Sequence, residues 1–215
     1  MEITAAALWL NTFFAEFDLG ITLAIHRLYE LAGWFFTPFF EFISFLGHDG
    51  IPLIIFSIIL ILFKRTRRYG TAMLLGLAVG ALITNCCLKI LIARPRPYAD
   101  ESSVFYQLWL LVGQNMESDN SFPSGHTTAA FATMTAVFMT GSKRVSWTAY
   151  IFALLMAVAR IYLVVHFPSD VLVGIIVGIF GGIVGTILAR RLPGKYYDKN
   201  IFKKGGNTEC SDSAA

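Results

Sequence analysis

The chain has 215 residues, of which 56% are hydrophobic and 14% charged, with a mean hydropathy of +0.64 and a formal net charge of +3. A soluble domain carries about a quarter charged residues, so the composition argues against a soluble core. The basic residues sit at the ends of apolar runs rather than on one face, which argues against a nucleic-acid partner. Three cysteines supply no disulfide framework. Cys86 and Cys87 lie inside an apolar run, where packing is their expected role, and Cys210 lies in a polar tail.

In chain order, residues 1–19 lack a basic leading segment and contain Glu2, Glu16 and Asp18, unlike a cleavable signal peptide. With Trp9, Phe13, Phe14 and Phe17 on offer, they are predicted to form an interfacial helix. A bilayer core needs roughly 20 apolar residues per helix. The windows 51–63, 71–93, 127–142, 145–165 and 168–189 come close to that. A sixth, 20–46, is interrupted by His26, Arg27, Glu30, Pro38 and Glu41. The stretch 103–112, "SVFYQLWLLV", is read either as an interfacial lid or lipid-chain guide, or as loop packing. The expected fold is all-α, a polytopic membrane bundle of about six transmembrane helices over 20–192. An N-terminal interfacial segment (1–19) precedes it, and a polar cytoplasmic tail (193–215) follows.

Basic loops set the expected orientation. Lys64–Arg68, Lys143 with Arg144, and Arg190, Arg191, Lys195, Lys199, Lys203 and Lys204 follow alternate spans, so they are predicted to be cytoplasmic. Segments 47–50, 94–126 and 160–168 then face the other side, and both termini are cytoplasmic if 20–46 crosses. Three polar clusters converge on that outer face: "KILIARPRP" (89–97), "PSGH" (123–126) and "RIYLVVHFPSD" (160–170).

Each cluster has a chemical reading. Lys89, Arg94, Arg96 and Arg160 are cations at membrane depth, which are costly and mark a functional cavity or a snorkelling anchor. Pro95 and Pro97 rule out regular helix there, so the arginines leave a helix end on an extended stretch. Guanidinium forks beside a lysine suit phosphate. Ser124 and Gly125 open a helix whose free N–H groups favour an anion. Ser124 is read as its cap or as a phosphate donor. His126 in the first turn opposes the helix dipole unless an anion is bound. Pro168 starts the last span, which puts Asp170 in its first turn, turned back towards His166. A carboxylate on one imidazole nitrogen would leave the other free to attack. The set predicts phosphoryl transfer, with His166 as nucleophile, His126 as acid and base, and the cations stabilising phosphoryl oxygens. No carboxylate cluster of metal-ligand type accompanies them, so neither metal nor other cofactor is expected.

In order, Lys89…Arg96-Pro97, Pro123-Ser124-Gly125-His126 and Arg160…His166…Asp170 resemble the phosphatidic acid phosphatase type 2 family. Its pattern is Lys-x6-Arg-Pro, Pro-Ser-Gly-His and Ser-Arg-x5-His-x3-Asp. The motifs cover 89–170 and the span layout about 20–190. The resemblance implies a six-span enzyme hydrolysing lipid phosphates or diphosphates without metal, such as undecaprenyl diphosphate, phosphatidylglycerol phosphate or phosphatidic acid. It implies His166 as nucleophile, Asp170 as its partner and His126 as acid and base, with Lys89, Arg96, Ser124, Gly125 and Arg160 holding phosphate. Ala159 replaces the family serine, and Arg94 is an additional cation that assists the site or meets headgroups. Haloperoxidases share such a pocket but are soluble. The rival of another class is a non-catalytic lipid-phosphate binder or transporter; the chain shows no internal repeat of the kind transporters carry.

Overall fold

A computed structural model describes residues 3–198. In chain order the helices are α1 (Ala5–Phe13), α2 (Ala15–Phe45), α3 (Ile51–Leu62), α4 (Arg67–Ala81), α5 (Lys89–Ile92) and α6 (Val104–Leu111). They continue with α7 (Gly125–Thr140), α8 (Lys143–Ser146), α9 (Ala149–Tyr162), α10 (Pro168–Arg191) and α11 (Gly194–Asp198). A π-helical segment, Leu82–Leu88, joins α4 to α5. No strand occurs among the described residues. The expected all-helical class is observed, and Ala15–Leu62, Arg67–Ala99, Lys143–Tyr162 and Pro168–Arg191 are long and apolar enough to cross a membrane.

The hydrophobic pattern is inverted relative to a soluble bundle. Phe56, Ile59, Ile176 and Phe180 point outward, while Thr127, Thr128, Thr133 and Thr135 are buried. Association in lipid rests on close packing of small residues rather than on expulsion of water. α10 supplies that packing. A Cβ on Gly178 would stand 2.6 Å from the Cβ of Phe131 on α7, and one on Gly185 only 2.2 Å from the backbone nitrogen of Gly76 on α4. α7 sits between these neighbours and is the most enclosed helix, with ten of its 16 residues buried.

α3, α4 with α5, α7, α9 and α10 run alternately between two ends of this bundle. One end gathers Arg67, Lys143 and Arg190, whose side chains bond backbone carbonyls near the helix ends. The other end holds the three polar clusters.

Residues 15–45 depart from the expected sixth span. Near its start, Asp18 accepts hydrogen bonds from the backbone N–H and the hydroxyl of Ser169, at the beginning of α10. Near its end, Ser44 bonds Arg160 at 2.5 Å, and the following Gly47 abuts His126. A straight helix would separate residues 18 and 44 by roughly 39 Å, yet both meet the same end of the bundle. The break is at Ala32, whose φ of −158° and ψ of 60° interrupt the helix. α2 therefore starts and ends at the polar end of the bundle, bent at Ala32, rather than running straight from one end to the other. α2 also begins at Ala15 and runs on through position 20, the boundary expected from sequence. α1 packs at the same end, where the Thr4 hydroxyl bonds the carbonyl of Ile92. The tail beyond Asp198, with Cys210, lies outside the described residues.

Candidate active site

Local sequence explains how each polar residue arrives at the site. α5 ends at Ala93, held at φ 49°, after which Arg94 to Arg96 run out of the helix as the two X-Pro pairs require. Ser124 caps α7, accepting from the Thr127 N–H at 3.4 Å, and its hydroxyl lies 2.9 Å from that of Thr127. The capping contact expected of Ser124 is thus present. Pro168 occupies the first turn of α10, and Asp170 Oδ2 accepts from the Phe167 N–H at 3.0 Å. These two helix starts are tied by the Ser124 N–H donating to the Asp170 carbonyl at 3.2 Å.

The result is a cavity of about 370 Å³ lined at one end by Lys89, Arg96, Gly125, His126 and His166. An apolar wall of Ile54, Leu74, Leu77, Ala78, Ala81 and Ala129 completes it together with the polar Asp49, Thr84, Asn85, Glu117, Asp119 and Thr128. Five of the eight residues predicted from sequence thus face one chamber. Ser124, Arg160 and Asp170 are buried behind it. Ala159, in the position of the family serine, is fully buried and does not line the chamber.

His166 is gripped on both ring nitrogens. Arg96 approaches Nε2 at 3.0 Å and also bonds the Val165 carbonyl at 2.7 Å. On the other side Nδ1 lies 3.4 Å from the Ser121 hydroxyl and 3.7 Å from Asp170 Oδ2. The direct histidine–carboxylate hydrogen bond expected from the four-residue spacing is therefore not formed. Ser121 lies beside the pair, donating to Asp170 Oδ2. With the proton on Nδ1, the ring can join Ser121 and Asp170 on that side, while the Nε2 lone pair accepts from Arg96. Burial, reinforced by the positive fields of Arg96, Arg160 and Lys89, holds this imidazole well below its ordinary range, so it is neutral. His126 borders the same cavity, its ring centroid 6.3 Å from that of His48.

The cations are balanced by acids that the sequence reading left unassigned. Asp119 forms ion pairs with Lys89 and Arg96, and Glu117 with Arg160. Ser44 takes another Arg160 nitrogen, while Nε of that buried guanidinium has no partner. The available signal was an acidic connector containing no Lys or Arg, opposite four cations. Of its two expected uses, contact with headgroups is not observed for Arg94. It is 1% exposed and bonds Asp18, Asp170, Ser169 and Asn11, and so it meets neither headgroups nor the cavity. The stretch 103–112 forms the capped helix α6, whose Trp109 is buried and stacks on Tyr98 while Phe105 meets Phe167 edge-on. Among the described residues, no group of three or more His, Cys, Asp or Glu is placed to hold a metal ion.

Residues 68–192 match the model of the PAP2 superfamily. An undecaprenyl-diphosphatase of Sulfolobus acidocaldarius is 28% identical over 133 residues, 62% of this chain and 61% of that protein. Undecaprenyl-diphosphatase BcrC of Bacillus subtilis is 32% identical over 94 residues, 44% of this chain and 45% of that protein. The chain thus spans about half the length of the curated relatives it matches. Among solved structures, Aquifex aeolicus LpxE aligns with a TM-score of 0.51 at 28% identity, covering 70% of this chain and 84% of its own. The first transmembrane PAP2 type phosphatidylglycerolphosphate phosphatase from Bacillus subtilis aligns with a TM-score of 0.56 at 22% identity, over 89% of this chain and 99% of its own, a likeness of fold. The match covers more than half of the chain, including every motif residue of the cavity and of its buried supports: the protein belongs to the PAP2 superfamily.

Proposed function

We propose that the protein is an integral membrane phosphatase that hydrolyses a lipid phosphomonoester or diphosphate. The observation that carries this reading is the single cavity in which two histidines and two cations meet an apolar wall. Phosphate and lipid chain are both provided for. The substrates that fit are undecaprenyl diphosphate, phosphatidylglycerol phosphate and phosphatidic acid; the first two are suggested by the names of the relatives.

His166 Nε2 attacks phosphorus, forming the N–P bond as the P–O bond to the lipid breaks. His126 gives its proton to the departing oxygen. It then takes a proton from water, whose oxygen attacks phosphorus and breaks the N–P bond, releasing phosphate. Lys89, Arg96, Arg160 and the free N–H groups opening α7 stabilise the equatorial oxygens, with Gly125 allowing close approach. Ser124 contributes by capping that helix, and Ser121 with Asp170 fixes the His166 ring. No step calls for a metal. Basic residues at the opposite end favour a cytoplasmic location there, which puts the cavity on the extracytoplasmic side.

The test is phosphate release by the detergent-solubilised protein in EDTA, wild type beside His166→Ala, on the three lipids. Release by wild type alone supports the reading. Activity that survives His166→Ala, or that disappears with EDTA, overturns the mechanism. A wild type that binds all three lipids but releases nothing overturns the assignment as an enzyme.

A further inference from the structure

Arg94 sits between two buried carboxylates. Its NH1 donates to Asp170 Oδ1 at 2.6 Å and to the Ser169 hydroxyl at 2.8 Å, its NH2 to Asp18 Oδ2 at 2.9 Å, and its Nε to Asn11 Oδ1 at 2.7 Å. The Phe167 ring lies under the guanidinium at 3.9 Å. Asp18, Arg94 and Asp170 are each at most 2% exposed. One carboxylate would neutralise Arg94. A second leaves a net negative charge out of solvent, which costs several kcal/mol unless it is used or fully hydrogen-bonded. The far oxygen of Asp170 faces Ser121 and His166, so the line of contacts runs from α2 to the imidazole.

We propose that Asp18, on the N-terminal helix α2, is a positioning residue for His166, acting through Arg94 and Asp170. The inference rests on the reading that His166 is the nucleophile. Asp18 shares the guanidinium fork, fixes its plane and takes up part of its charge. Asp170 thereby keeps its negative field towards the His166 Nδ1 proton. The charged and titratable groups around that ring are Lys89 and Arg96 from α5 and its exit, His126 from α7 and Arg160 from α9. Glu117 and Asp119 come from the connector and Asp170 from α10. Without Asp18, the full charge of Arg94 falls on Asp170. The bent path of α2 thus has a purpose: it delivers a carboxylate to the back of the site.

The test is the pH profile of kcat/KM for the full chain in detergent, which reports groups of the free enzyme. Asp18→Asn keeps the shape and removes a negative charge, so the acid limb set by His166 moves to lower pH, by about half a pH unit or more. Arg94→Gln removes a positive charge and moves the limb to higher pH. In both variants kcat falls about 10- to 100-fold, as for other supporting contacts, while KM changes less than about threefold. A purely structural role would lower the melting temperature without displacements of opposite sign. Should Arg94→Gln not fold, Ser121→Ala replaces it: with that link cut, adding Asp18→Asn should cost little more. A wild-type kcat and acid limb in Asp18→Asn, or full additivity with Ser121→Ala, overturns the inference. His166→Ala in the same series separates the two claims: its activity would overturn the proposed mechanism, whereas its silence beside a wild-type-like Asp18→Asn sinks only the role of Asp18.

Discussion

Asp119 pairs with Arg96 at the mouth of the cavity, and the same carboxylate takes Lys89. Burial opposes its ionisation, but Lys89 and Arg96 outweigh burial and hold the carboxyl below the usual range. If Lys89 and Arg96 hold phosphate as proposed, the incoming phosphate must compete with this carboxylate for them. Asp119→Asn should therefore bind orthovanadate or inorganic phosphate more tightly. Half-exposed pairs are worth about 1 kcal/mol, or roughly fivefold in affinity. Competitive inhibition constants for the two proteins check this; equal or weaker binding by the variant contradicts it.

Arg160 meets Glu117 and Ser44 behind the cavity and keeps one nitrogen unpartnered. On the proposed mechanism, replacing it with Gln removes a positive charge that supports the phosphoryl site and strands Glu117. Phosphate release should drop about 100-fold or more, as when a preorganised donor is lost elsewhere. Arg160→Lys should recover only part of it, because an ammonium group cannot reproduce the planar fork. Steady-state rates on one lipid substrate decide between this and a bystander role, for which both variants would stay near wild type.

The depressed proton affinity of His166 has a consequence for stability. Its ordinary value is 6.5 and the folded value is well below that, so the unfolded chain binds the proton more readily. Stability from this group is complete above 6.5 and is lost as pH falls towards the folded value. Thermal unfolding in detergent should show the midpoint falling on acidification below that point, with a shallower fall in His166→Asn. Identical slopes for the two proteins would show that another group is responsible.

The seam between α10 and α4 tolerates no side chain. At Gly185 a Cβ would lie 2.2 Å from the Gly76 nitrogen, so one backbone must move, whereas nothing lies within 4 Å of a Cβ at Gly20. Gly185→Ala should destabilise by about 1–3 kcal/mol, the usual cost of overpacking. Gly20→Ala should be neutral or mildly stabilising, since alanine favours helix. Melting temperatures of the two variants provide the comparison.

Much of the site was legible because its residues are neighbours along the chain. Ser124, Gly125 and His126 open one helix; His166 and Asp170 flank the start of another. Such local geometry follows from caps, prolines and helix periodicity. The placement of Lys89 and Arg96 beside His166 was also visible, as cations at membrane depth need a polar chamber. Ser121, Glu117 and Asp119 were harder to place, because a connector has no periodicity to aim its side chains. The partners of Arg94 were hidden for a related reason: Asn11 and Asp18 lie more than 70 residues away.

The sequence by itself determined an all-helical membrane protein, its alternating apolar runs and the residues capable of phosphoryl chemistry. Hydropathy and turn chemistry act over a few residues, and so they can be read in order. Only the tertiary structure decided that α2 turns back at Ala32, that Ser121 joins His166 and Asp170, and that Asp119 occupies the cations. A long apolar helix satisfies its own backbone whether it crosses or folds back. The choice rests on where a few polar side chains find distant partners.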